Sequence, residues 1–271
     1  MTTLEAIVLG LVQGLTEFLP ISSTGHLRIV PAFLGWDDPG AAFTAVTQLG
    51  TLTAVLLYFR NDLWRIAIAF LAGLRDPLIR KSTDSRLGWY ILLGTIPISL
   101  FGLVFNNQIE DEARSLRLIG TTLIVLGLVL LAAERVGKRE RDLDDLGARD
   151  GVAIGFAQAL ALIPGVSRSG ATLTAGLFLN LERAAAARYS FLLSVPAVVL
   201  SGLYELKDIG GDGGAGAFPT AVATLLAFVS GYFAIAFMLR FLATNSTIVF
   251  VVYRVALGAL VLALVGTGAI D

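Results

Sequence analysis

The chain has 271 residues, 56% of them hydrophobic and 15% charged, with a mean hydropathy of +0.79. Soluble domains carry charge on about a quarter of their residues, so this composition excludes an ordinary soluble fold and points to an all-α polytopic membrane protein. The net charge of −1 excludes a basic nucleic-acid surface, and the absence of cysteine excludes disulfides and thiol chemistry.

In chain order, Glu5 stands ahead of the first apolar stretch where a signal peptide would carry basic residues, so no cleaved signal is expected. Residues 4–34 are apolar but broken by Pro20, Gly25 and Pro31, which predicts a re-entrant helical hairpin. Irregular backbone at membrane depth survives only where protein or a water-filled cavity surrounds it. Residues 41–59 predict a first membrane span, and the short apolar segment 63–74, flanked by arginines, reads as an interfacial helix. Spans follow at 88–106 and 117–134. Residues 151–180, broken by Pro164, Gly165 and Gly170, predict a second hairpin, and 186–206, 221–239 and 248–265 complete six spans. Each span is close to the ~20 residues that a helix needs to cross the hydrocarbon layer. Kinked spanning helices are the alternative reading of the two broken segments.

Lys and Arg collect at 60–86 (Arg60, Arg65, Arg75, Arg80, Lys81, Arg86) and 135–149 (Arg135, Lys138, Arg139, Arg141, Arg149). The positive-inside rule puts both loops in the cytoplasm. The acidic loop around 106–115 and the glycine-rich loop 209–218 then fall outside, the turn 240–246 inside, and both termini outside.

Laid on itself at an offset of 145, the chain matches at Gly10/Gly155, Gln13/Gln158, Leu15/Leu160, Ser22/Ser167 and Gly25/Gly170. Three predicted spans follow each matched stretch. An odd number of crossings inverts one half against the other, as in transporters built from inverted repeats with sites near the midplane. The expectation is a single membrane domain, with repeat 1 over about 1–136, a cytoplasmic linker over 137–150 and repeat 2 over 151–271. Its two hairpins enter from opposite faces and meet tip to tip.

The scarce polar residues gather at those tips. Gln13 and Glu17, four apart, share a helix face. Pro20 ends the first half-helix, and Ser22, Ser23 and Thr24 are candidate N-caps for the second. The other tip offers a turn at Pro164–Gly165, then Ser167, Arg168, Ser169 and Thr172. Free N–H groups at half-helix starts, hydroxyls and a guanidinium make an anion site suited to phosphate. Glu17 beside an anion makes sense as the holder of a divalent cation or a proton. His26, the one histidine, lies at the same tip. Ionisable groups this deep are costly and usually functional. Glu182, Arg183 and Arg188 read instead as a solvated hairpin exit, and Thr51, Thr53 and Ser99 as hydroxyls bonding back to their own helices.

"QGLTEFLPISSTGH" (13–26) and "PGVSRSGAT" (164–172) closely resemble the two signature motifs of the bacterial undecaprenyl-diphosphate phosphatase, or bacitracin-resistance, family. The resemblance extends to "QLGTLTAV" (48–55), "LDDL" (143–146), "FLLSVPA" (191–197) and "YR" (253–254), so it covers essentially the full chain. Gln13 stands where many members carry Glu, which leaves one carboxylate in the first motif. The resemblance implies a multi-pass hydrolase of the bacterial plasma membrane that converts undecaprenyl diphosphate to undecaprenyl phosphate and inorganic phosphate. Its active site would open to the outer face, and it would recycle the lipid carrier for peptidoglycan synthesis and confer bacitracin resistance. It further implies dependence on a divalent cation, Mg²⁺ or Ca²⁺, and association as a homodimer.

On that reading Arg168, Ser167, Ser169, Thr172 and the turn N–H groups around Gly165, Ser22 and Thr24 clamp the diphosphate. Glu17, with Gln13 as a neutral oxygen ligand, holds the cation or orients the attacking group. Ser23 is the preferred nucleophile, activated by Glu17 or His26. His26 as direct nucleophile, or as base for a water, stays open. A lipid-carrier flippase or an anion transporter is the rival use of the same scaffold.

Overall fold

The computed structural model describes residues 1–105, 115–205 and 216–270. Of the predicted outer loops 106–115 and 209–218, residues 106–114 and 209–215 lie outside them. Among the described residues every regular element is helical. The first hairpin is α1 (Thr3–Phe18) and α2 (Ser23–Leu34), followed by α3 (Gly40–Tyr58), α4 (Arg60–Gly73), α5 (Thr83–Val104) and α6 (Leu116–Val136). The second hairpin is α7 (Ala148–Ala159) and α8 (Arg168–Phe178), followed by α9 (Arg183–Glu205), α10 (Ala217–Thr244) and α11 (Ile248–Gly266).

Five of these helices, α5, α6, α9, α10 and α11, are long and apolar enough to cross a membrane. A sixth candidate is α3 taken with α4, a pair that is long and apolar enough together and bends by 74° at its junction. The sharp bend and the exposed Trp64, Ile68 and Leu71 fit the interfacial helix expected at 63–74. The hairpin helices have only 16, 12, 12 and 11 residues. At 1.5 Å per residue the longest reaches about 24 Å, short of a bilayer core. Within each hairpin the two helices pack against one another.

Local chemistry explains where α1 starts and stops. Thr2 and Glu5 form a reciprocal capping box, so Glu5 serves the helix start. Pro20 disfavours helix at the residue before it, and Leu19 is extended at φ −75°, ψ 145°. The other expected breakers act differently. Pro31 lies inside α2, which runs on to a left-handed Gly35 cap. Gly25 and Gly170 sit in the first turns of α2 and α8. Each hairpin therefore breaks once, at 19–22 and at 160–167, because burial among neighbouring helices keeps the rest helical.

The first helix of each hairpin packs on a span from the other half of the chain, α1 on α10 and α7 on α5. Glycine permits both approaches: a Cβ on Gly10 would lie 2.4 Å from the Ala223 carbonyl oxygen, and one on Gly155 2.5 Å from that of Gly94. Small residues at a crossing let membrane helices approach closely without an apolar driving force. Thr51, Thr53 and Ser99 bond back to carbonyls one turn earlier, as expected.

The solvated exit expected at 182–188 is instead a set of structural ion pairs. Arg183 binds Glu134, which also accepts from Arg139 (3.2 Å) and the Thr247 hydroxyl (2.8 Å) and is 4% exposed at its side chain. Arg188 binds Asp62 at 2.7 Å. These contacts tie the ends of α6, α9 and α11 together, and α9 to α4. Glu134→Ala should lower unfolding stability in detergent by about 3 kcal/mol, because it strands partly buried cations. Turnover per folded molecule should stay unchanged; thermal unfolding paired with an activity titration checks both.

Candidate active site

The hairpin tips meet. Glu17, in the last turn of α1, binds Arg168, the first residue of α8. The Ser169 hydroxyl donates to the Leu19 carbonyl at 2.9 Å, a second tie between the tips. The Ser23 hydroxyl donates to Glu17 Oε2 at 2.6 Å, and the Gln13 amide donates to the same oxygen at 3.1 Å. A nucleophile candidate, a carboxylate and a guanidinium thus form one connected cluster.

Both turns use the same strained device. Ser22 and Ser167, matched at the offset of 145, have φ of 74° and 73°, and each hydroxyl accepts the N–H three residues on, Gly25 at 3.3 Å and Gly170 at 3.1 Å. Positive φ is unfavourable for a residue with a Cβ and persists only where its surroundings enforce it. Here it turns the chain directly into α2 and α8, and sets Ser23 and Arg168 immediately after each cap. Ser23 and Arg168 are half-buried and Thr24 is exposed, whereas Gln13, Glu17, Ser22, His26, Ser167 and Ser169 are buried. The accessible side of the cluster is therefore Ser23, Thr24 and Arg168, with Glu17 behind them.

His26 lies beside this cluster with both ring nitrogens engaged elsewhere. Nδ1 is 2.7 Å from the Ser22 carbonyl and Nε2 is 2.7 Å from the Tyr253 hydroxyl. A carbonyl only accepts, so Nδ1 carries a proton; in the neutral ring Nε2 then accepts the Tyr253 O–H. The hydroxyl of Ser23 goes to Glu17, which favours Glu17 over His26 as its activator. Gln158, the match of Gln13, is equally buried, but Leu162 stands where a second Glu17 would be; both atoms of its amide are left without a partner.

Two expected phosphate contacts are also engaged within the fold. Thr172 is 1% exposed; its hydroxyl donates to the Arg168 carbonyl at 2.8 Å and meets the Ser190 hydroxyl at 2.5 Å, tying α8 to α9. Gly165 is a turn residue at φ 83°, where a Cβ would meet the Thr122 hydroxyl at 2.1 Å. Thr172→Val should accordingly keep turnover within about threefold of wild type and act on stability, because it breaks a buried hydrogen bond between two helices; steady-state phosphate release is the check.

Two residues were not among the sequence-derived candidates. Tyr253 holds His26, and the fully buried Arg254 bonds carbonyls in both hairpin turns. Their one signal in the sequence was the "YR" pair at 253–254, which fits the family pattern.

The sequence profile described as "Bacitracin resistance protein BacA" matches residues 6–260. The chain belongs to the BacA family. Its relatives include proteins named undecaprenyl-diphosphatase from Nocardioides sp. (58% identical over 98% of both chains), Thermobifida fusca (56% identical over 99% of this chain and 92% of that one) and Myxococcus xanthus (56% identical over 99% and 91%).

In this BacA-family chain the donor set for a divalent cation is small. Among the described residues no three His, Cys, Asp or Glu side chains cluster. The Gln13 carbonyl oxygen, however, is buried without a partner beside the Glu17 carboxylate. One carboxylate and one amide oxygen cannot cage Ca²⁺, but they fit the mode of Mg²⁺, which commonly takes one or two carboxylates and completes its shell with water and substrate phosphate.

Proposed function

We propose that this BacA-family chain is an integral-membrane phosphatase that hydrolyses undecaprenyl diphosphate to undecaprenyl phosphate and inorganic phosphate. Membership in the family and the names of full-length relatives support the reaction. The observation that carries the chemistry is the Ser23–Glu17 hydrogen bond at 2.6 Å, beside Arg168 on the accessible face of the tips.

The substrate keeps its polyprenyl tail in lipid and brings its diphosphate to the tips. Arg168 has five N–H donors in a planar fork, enough to hold Glu17 and phosphoryl oxygens together. Exposed Thr24 adds a hydroxyl, and the N-terminus of α2 adds N–H groups. Ser23 Oγ attacks the terminal phosphorus while Glu17 takes its proton. The bond from that phosphorus to the bridging oxygen breaks, and undecaprenyl phosphate leaves. Water then attacks the phosphoserine, Glu17 returns its proton to the departing Ser23 oxygen, and the water's hydrogens leave with inorganic phosphate. Gln13 and Glu17 would hold a divalent cation, which when bound neutralises diphosphate charge. His26 and Tyr253 brace the Ser22 carbonyl and so the turn that carries Ser23.

The same reading takes the chain as an inverted repeat with its cleft open to the outer face of the bacterial plasma membrane, associating as a homodimer. The twin strained caps at Ser22 and Ser167 and the basic loops support the first two points. On this reading the enzyme also recycles the carrier lipid for peptidoglycan synthesis and relieves bacitracin stress, the latter in keeping with the family description. A flippase or anion transporter needs binding groups alone, and the Ser23–Glu17 pair is surplus to that task. Purified protein in detergent with Mg²⁺ and undecaprenyl diphosphate should release one phosphate per lipid. Transport cannot register without two compartments, so binding without phosphate release would refute hydrolysis.

A further inference from the structure

Arg254, in α11, has no exposed surface. Its guanidinium donates to the carbonyls of Pro20 (3.1 Å), Gly165 (3.2 Å), Val166 (3.0 Å) and Leu123 (3.3 Å). Those acceptors come from the first hairpin turn, the second hairpin turn and α6. None is a carboxylate, whereas Arg168, Arg183 and Arg188 each bind one. A buried ion without a paired counter-charge is among the costliest arrangements a protein keeps. Carbonyl dipoles offset part of that cost and leave a net positive charge between the two turns.

The carbonyls it holds matter as much as the charge. Thr122 donates to Pro164 O at 2.7 Å, so Arg254 and Thr122 together secure three successive carbonyls, 164 to 166. A trans peptide is planar, with its C=O and N–H on opposite sides. Drawing the Val166 carbonyl onto Arg254 therefore turns the Ser167 N–H away from it. Ser167 is also the strained cap at φ 73°, and Arg168 follows it. Strain of this kind needs surroundings that over-determine it, and on this turn Arg254 is the largest such constraint. Through Pro20 the same side chain holds the turn that leads to Ser22 and Ser23.

We infer that Arg254 is the positioning residue of the site, locking both hairpin turns in register and supplying a fixed positive charge that the bound diphosphate neutralises. This rests on the diphosphate-hydrolase reading above. Arg254 does not touch the substrate; it acts through the turns that present Ser23 and Arg168, and through its field.

The test is a pair of substitutions in the full-length chain, Arg254→Lys and Arg254→Met, with kcat and KM for undecaprenyl diphosphate measured per folded molecule alongside the unfolding midpoint. Lysine keeps the charge but loses the planar fork. Its kcat should fall about 10²-fold, the loss seen when preorganised donors are disturbed, with KM within about threefold. Methionine loses both fork and charge, so KM should rise by about a further tenfold at a kcat no better than that of the lysine variant. A purely structural role would reduce the folded fraction and leave both constants unchanged, and that result overturns the inference. Equal KM in the lysine and methionine variants overturns the charge. Where neither variant folds, Thr122→Val removes the neighbouring tether on Pro164 and should lower kcat about tenfold at constant KM; an unchanged kcat there overturns the positioning role. Wild type that releases no phosphate in the same assay instead overturns the parent reading.

Discussion

Ser23→Ala should lower turnover of undecaprenyl diphosphate on the order of 10⁶-fold, the scale seen when an activated nucleophile is removed. The expectation follows from three features of one side chain. Its hydroxyl already donates to a buried carboxylate at 2.6 Å, so the proton acceptor needs no rearrangement. It is half-buried at the start of α2, and it faces Arg168 across Glu17. The fold should barely notice the change, since one hydrogen bond contributes about 1 kcal/mol. Lipid binding should survive for the same reason, because Arg168 and the half-helix N-termini remain. A single-turnover assay with a binding measurement on the same sample checks the split. Near-normal turnover would remove Ser23 from the chemistry while leaving the cluster standing as an anion site.

The second large effect belongs to Arg168. Arg168→Lys should reduce kcat/KM about 10²-fold and Arg168→Ala about 10⁴-fold, as graded loss of donors to a transferring phosphoryl group predicts. Lysine retains the charge but loses the planar fork, so it cannot pair bidentately with the phosphate while holding Glu17. Alanine also strands the Glu17 carboxylate, 8% exposed, without its cation. Equal activity of the lysine variant and wild type would mean that charge alone suffices, and that the fork geometry has no part in catalysis. Steady-state kinetics of the two variants side by side make the comparison.

Much of this arrangement is legible in the sequence because its signals are local. The spans announce themselves by length and apolarity, the interfacial helix by flanking arginines, and the hairpin turns by Pro20, Ser22, Pro164 and Ser167. Gly25, Pro31 and Gly170 mislead as breakers. A buried neighbour on every side compensates what glycine and proline cost a helix, and local propensity cannot foresee that. The packing contacts of Thr172 are invisible for another reason. Thr172 is four residues from Arg168 and shares its helix face, but its hydroxyl bonds back to the Arg168 carbonyl and across to Ser190.

The residues that sequence reasoning passed over or misread have partners far along the chain. Arg183 finds Glu134 across 49 positions, and Arg254 finds carbonyls at 20, 123, 165 and 166. A lone arginine in an apolar span carries a warning of function but no pattern that names its acceptors, because backbone carbonyls leave no mark in a sequence. Tyr253 is hidden in the same way, one aromatic among many until it meets His26.

Ser23 acting as a nucleophile requires a phosphoenzyme intermediate. Hydrolysis of undecaprenyl diphosphate made chiral at its terminal phosphorus with sulfur and oxygen isotopes, in isotopically labelled water, decides this by the handedness of the released thiophosphate. Two successive in-line displacements at phosphorus, by Ser23 and then by water, predict net retention of configuration; net inversion would mean that water attacks the diphosphate directly and would exclude Ser23 as the nucleophile.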